Sequence, residues 1–114
     1  MSVAIIENWS IITGQVIDIS ESVDLPRFSC LDLIVTSVEA VVGFPNLVGQ
    51  FLQESGQANL KALIPTEQLF DNRIVVGACL ECRVRRAGLD RFFIHSDSLV
   101  VTPPAQDAEA AAVE

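Results

Sequence analysis

The chain has 114 residues and a mass of 12.4 kDa, the size of a single domain. Half of its residues are hydrophobic and its mean hydropathy is +0.43, which excludes global disorder. Net charge is −8 and the sequence pI is near 4.4, which excludes a surface covered in positive potential, the usual footprint of duplex nucleic-acid binders.

Seven Lys and Arg are present, and Arg83, Arg85, Arg86 and Arg91 fall in one short stretch. A local basic site is therefore compatible with the acidic total. No apolar run reaches the roughly 18–20 residues that span a bilayer, so no membrane partner is expected. Met1–Trp9 lacks a positive n-region, so no signal peptide is expected. Three cysteines, an odd number, fit a reducing compartment, and the cytoplasm is the expected location.

The first segment, residues 10–19, is rich in β-branched residues and carries Gly14, a strand glycine of the kind that marks a bulge or bend. Residues 28–42 form a second strand, with Ile34, Val35, Thr36, Val38, Val41 and Val42 opposing helix. Gly43–Asn46 is a turn, and Leu47–Leu52 reads as a short strand. Asn59–Ile64 alternates as a third strand and Pro65 stops it. Thr66 is an N-cap candidate for a short helix over 67–73, with Glu67 in the first turn. Gly77 leads into a fourth strand, Ala78–Arg86, and a fifth runs from Arg91 to about Val101. A three-residue turn, Ala87-Gly88-Leu89, makes the last two an antiparallel hairpin. The domain is expected to span 1–102, and residues 103–114 read as a disordered acidic tail.

The order strand, strand, strand, short helix, strand, strand, with a glycine in the first strand, resembles the OB-fold over residues 10–101. The resemblance implies an all-β, five-stranded Greek-key barrel with one short helix between strands 3 and 4. It also implies oligonucleotide or oligosaccharide binding on the second and third strands and two flanking loops. More loosely, the 74–101 segment is similar to the closing hairpin of single-stranded-DNA-binding and primosomal proteins. The base-stacking aromatics of that family are not evident on the second and third strands, since residues 29–43 contain no Phe, Trp or Tyr.

Pattern divides the hairpin into two faces. Leu80, Cys82 and Val84 are expected to meet Phe92 and Ile94 in the core. Glu81, Arg83 and Arg85 are expected to meet His95, Phe93 and Arg91 outside, with Arg86 opposite Asp90. Cations beside an aromatic suit single-stranded DNA or RNA, because guanidinium groups neutralise phosphate and a ring stacks on bases. Arg83, Arg85, Arg91 and Phe93, supplemented by Lys61, are the candidate contacts. The competing reading is a solvated face with arginines lying over Phe93 or paired with Glu81 and Asp97.

Cys79 and Cys82 form a CxxC, but on a strand they point to opposite faces, which places Cys82 in the core and Cys79 outside. Cys30 reads as packing. A single His and no second CxxC leave no four-ligand zinc site in one chain, and no metal or cofactor is expected. His95 reads as a hydrogen-bonded surface histidine rather than a catalytic base, and no enzyme activity is expected. Trp9 is expected to plug a barrel end or to sit in a subunit interface. The apolar stretch 41–48, with Val42, Phe44 and Leu47, suggests a surface for a protein partner or a homo-oligomer.

Overall fold

The computed structural model describes residues 7–88 and 91–104. Six strands and two short helices follow in chain order: β1 (Ser10–Glu21), β2 (Phe28–Ala40), α1 (Leu47–Ser55), β3 (Asn59–Pro65), α2 (Thr66–Asp71), β4 (Cys79–Arg86), β5 (Phe92–Ile94) and β6 (Val100–Thr102). The sheet runs β1-β2-β3-β5-β4, and β4 pairs back onto β1, so the strands close into a barrel. All pairings are antiparallel except β3 with β5, which meet in parallel at Leu63 and Phe93. This is the all-β, OB-like barrel that the element order implies.

The core follows from period-2 alternation. Leu31 and Leu33 of β2, Leu60, Ala62 and Ile64 of β3, and Leu80, Cys82 and Val84 of β4 all point inward and are buried. Ile12 and Val16 do the same from β1. Phe92 and Ile94 complete the wall from β5. Gly14 lies where β1 shifts register against β2, between Thr13 and Gly14. A Cβ at this position would come within 2.9 Å of the Ile34 carbonyl oxygen, so the glycine permits the close approach.

The closing hairpin keeps its expected faces but not its expected register. Val84 pairs with Ile94, Arg85 with Phe93 and Arg86 with Phe92. The pairing is offset by two residues from the one that a three-residue turn would give, and an even slip preserves every side-chain direction. The connection is longer because the Ala87 N–H donates to the Arg91 carbonyl at 2.7 Å. Asp90, the expected partner of Arg86, lies outside the described residues. The expected fifth strand is split by a 3-10 turn at Ser96–Ser98. There the Ser98 hydroxyl accepts from the Arg83 N–H at 3.0 Å and donates to the His95 carbonyl at 2.9 Å, replacing ladder partners.

Two local expectations are corrected. Leu47–Ser55 is a helix, not a strand. The Asn46 side chain caps it by accepting from the Gly49 N–H, and Gly56 ends it in the left-handed region at φ 69°. Val48 is fully buried and Phe51 packs edge-on against Phe92, with ring centroids 4.9 Å apart. Thr66 is the first residue of α2 rather than its cap, and its hydroxyl is 2.8 Å from that of Ser29. The expected tail lies outside the described residues from position 105 onward. Among the described residues, no helix is long and apolar enough to cross a membrane.

Gly14→Ala should lower the free energy of unfolding by about 1–3 kcal/mol, because the added methyl meets backbone rather than a flexible side chain. A urea titration with an unchanged midpoint would contradict the close approach at Gly14.

Candidate nucleic-acid interface

Outward positions fall into lateral rows across the barrel, because neighbouring strands hold opposed side chains about 5 Å apart. One row runs Cys30 of β2, Leu63 of β3, Phe93 of β5 and Arg85 of β4. The next contains Asp32 opposite Lys61, with Asp18 of β1 opposite Asp32. Arg91 precedes Phe93 by two positions, as Lys61 precedes Leu63, on strands that run in parallel. Lys61, Arg91, Phe93 and Arg85 therefore share one outer face. Arg83 lies two positions further along β4 from Arg85, opposite Ile11 of β1.

The ring of Phe93 is built into a small stack. The Arg85 guanidinium carbon lies 5.8 Å from its centroid, and Phe28 meets it edge-on at 5.8 Å. Phe28 sits at the start of β2, so the aromatic that residues 29–43 lack is supplied by the position just before them. Phe93 is half-buried, not free-standing.

Beside this row lie two adjoining clefts that share Lys61 and Phe92. The first, about 360 Å³, is lined by Cys30, Lys61, Leu63 and Arg91 together with Val23 and Asp24 of the β1–β2 loop. The second, about 650 Å³, is lined by Asp32, Phe51, Gln57 and Asn59. A further hollow of about 800 Å³ is lined by Arg27, Phe28, Pro65 and Glu67. Arg27 is exposed and holds φ at 73°, a left-handed conformation that costs a non-glycine residue roughly 1 kcal/mol. Neither Arg27 nor Asp24 is singled out by sequence pattern, since both are isolated charges in a loop.

The charges on this face are mixed. Arg91 is tied to Asp24 by an ion pair of 2.8 Å. Lys61 faces Asp32, whose carboxylate also accepts a long 3.4 Å bond from Asn59. Of the two arrangements open to the arginines of a solvated face, cover of Phe93 or pairing with Glu81 and Asp97, Arg85 takes the first. Arg86 lies over Phe51 at 5.2 Å and is braced by Asn8, whose buried amide bonds both the N–H and the carbonyl of Arg86.

The remaining candidates fall elsewhere. Val42 is 97% exposed, whereas Phe44 and Leu47 are half-buried, so the 41–48 stretch folds partly back onto the barrel through α1. Trp9 is half-buried and edge-on to His95, with centroids 5.1 Å apart. His95 differs from its expected state, because its Nδ1 is buried with no hydrogen-bond partner among the described residues. The Ser98 hydroxyl bonds the backbone of His95 and not its ring. Among the described residues, no group of three or more His, Cys, Asp or Glu is placed to hold a metal ion.

The thiols sort as the strand pattern requires. Cys79 is exposed and Cys82 is buried. Burial pushes the Cys82 thiol up to about 12, with Glu81 adding to the shift. Cys30 is half-buried on the cleft floor rather than in the core. Its thiol is raised by burial, opposed by Lys61 and reinforced by Asp32 and Asp18.

No protein-family model matches the chain, and no curated protein matches it.

Thiol chemistry provides a test of the site's inner wall. A thiol reagent should modify Cys79 rapidly and Cys82 only on unfolding. Because the unfolded chain releases the Cys82 proton near 9.0 and the folded chain near 12, stability should fall as pH rises across that interval. Cys82→Val should flatten this dependence, and an equally steep fall in the variant would assign it to other groups.

Proposed function

We propose that the chain is a small OB-like binding module for single-stranded nucleic acid. The observation that carries this reading is the gathering of Lys61, Arg91 and Arg85 around Phe93 on one outer face, beside clefts at the β1–β2 and β4–β5 loops. A strand laid across this face meets cations for its phosphates and a guanidinium-covered ring for its bases. The resemblance to the OB-fold supports the same face, since its second and third strands and flanking loops are where such barrels bind. Superfamily membership, like the function, is part of the proposal. With three free thiols, a reducing cytoplasm is the proposed compartment.

The acidity of the rest of the chain sets the terms. Three of the fifteen acids, Asp107, Glu109 and Glu114, lie in the C-terminal segment, so residues 1–104 keep a net charge of −5. Affinity then comes from the local cluster and not from a general positive field. Duplexes, which need a broad basic surface, are disfavoured relative to single strands.

A second reading, a protein-interaction or self-association module, is favoured by one observation. Val42 stands 97% exposed on the β2–α1 loop. If that loop meets a second copy, Val42→Asp should convert a larger species to the 12.4 kDa monomer in light scattering. A wild-type mass of one chain at high concentration would remove self-association.

Binding of a fluorescent oligonucleotide across a salt series tests the first reading. Lys61→Ala should weaken binding to all sequences and lower the log–log salt slope by about 0.7, the value of one phosphate contact on a single strand. Phe93→Leu, which keeps an apolar contact for Phe28, should weaken binding by about 1–3 kcal/mol per stacked base with the slope unchanged. Absence of binding by the intact chain at low salt would overturn the proposal.

A further inference from the structure

Arg91 and Asp24, joined in an ion pair, both line the 360 Å³ cleft. Arg91 ends the β4–β5 loop and Asp24 lies in the β1–β2 loop, and Nη2 and Oδ2 are 2.8 Å apart. Backbone bonds brace both residues of the pair. The Ser22 hydroxyl accepts from the Leu25 N–H at 3.1 Å, and the Phe28 N–H donates to the Leu25 carbonyl at 3.2 Å, which fixes the turn carrying Asp24. The Ala87–Arg91 backbone bond does the same on the other side. The contact therefore joins Asp24 to the Arg91 end of the neighbouring loop, and it engages the cation that would otherwise join Lys61 in facing a ligand.

We infer that Asp24 is a built-in stand-in for phosphate: its carboxylate occupies the anion position on Arg91 until a nucleic-acid strand displaces it. This rests on the nucleic-acid reading above and adds a selectivity to it. A mononucleotide meets Arg91 with a single phosphate in competition with a tethered carboxylate. A strand already anchored at Lys61 and Phe93 presents its next phosphate intramolecularly, at high effective concentration. Asp24 thus favours strands over free nucleotides. The side chains are 40% and 66% exposed, so the pair is of the weak, exchangeable kind that a ligand can open.

The test compares Asp24→Asn with Glu21→Gln in binding to fluorescein-labelled oligothymidylate and, by competition, to thymidine monophosphate. Glu21 lines the same cleft, so E21Q removes an equal charge while leaving the pair with Arg91 in place. D24N should bind the oligonucleotide about two- to fivefold tighter, the range of an exposed ion pair. Its salt slope should steepen by about 0.7, because Arg91 now sheds a counterion on binding. Competition by the mononucleotide should improve in D24N and not in E21Q. If the wild type binds and D24N gains no more than E21Q, with an unchanged slope, the stand-in role is overturned and the binding reading survives. If neither wild type nor D24N binds at low salt, both fall together.

Discussion

The parallel meeting of β3 with β5 at Leu63 and Phe93 is the constraint on which the rest of this molecule depends. Every other strand pair is antiparallel. Without this seam, β1–β2–β3 and β4–β5 would be parts of an open sheet with two bare edges. The ladder at the seam is a single bridge, and parallel pairing is slightly weaker per residue than antiparallel. Side chains supply what the ladder lacks. Phe92 and Ile94 pack inward against the core, Phe51 of α1 closes over Phe92, and Phe28 braces Phe93 from outside. A short ladder also leaves the strands parted beside it, and the clefts that contain Lys61 and Phe92 lie there. Closure of the barrel and the proposed binding surface therefore have the same origin.

Charge on that surface is arranged by partner rather than by excess. Asp18 and Asp32 stand opposite each other across β1 and β2, a like-charge pairing that costs stability on its own. Lys61 on the next strand offsets it. Arg91 is balanced by Asp24. A face of this kind is nearly neutral at rest, with its cations set against Asp18, Asp24 and Asp32. On the proposed nucleic-acid reading, a strand gains by exchanging one anion for another, so its affinity depends more on geometry and stacking than on long-range steering.

What the sequence made legible was period and order. Alternation along Leu80–Arg86 and Phe92–Ile94 separates core from surface correctly because burial on one face admits no odd slip. Gly14 announces the register shift in β1, and Gly77 the entry to β4. The hairpin register was not legible, because pattern constrains parity and not the length of the turn after Arg86. Leu47–Leu52 misleads as a strand because its apolar residues, with Gly49 among them, fit a short apolar run. The signals that favour helix, Asn46 before it and Gly56 after it, lie at its flanks. Asp24 and Phe28 stayed invisible as site residues since their partners, Arg91 and Phe93, are distant in the chain and only barrel closure joins them.

Backbone amide mapping by NMR, with a single-stranded oligonucleotide titrated into the labelled chain at low salt, tests the central claim most directly. The account predicts shifts concentrated at Cys30, Lys61, Leu63, Arg85, Arg91 and Phe93, with Gln15, Ile34 and Cys79 elsewhere on the outer wall unmoved. Shifts centred on Gln15, Ile34 and Cys79, with the Leu63–Phe93 seam silent, would contradict it.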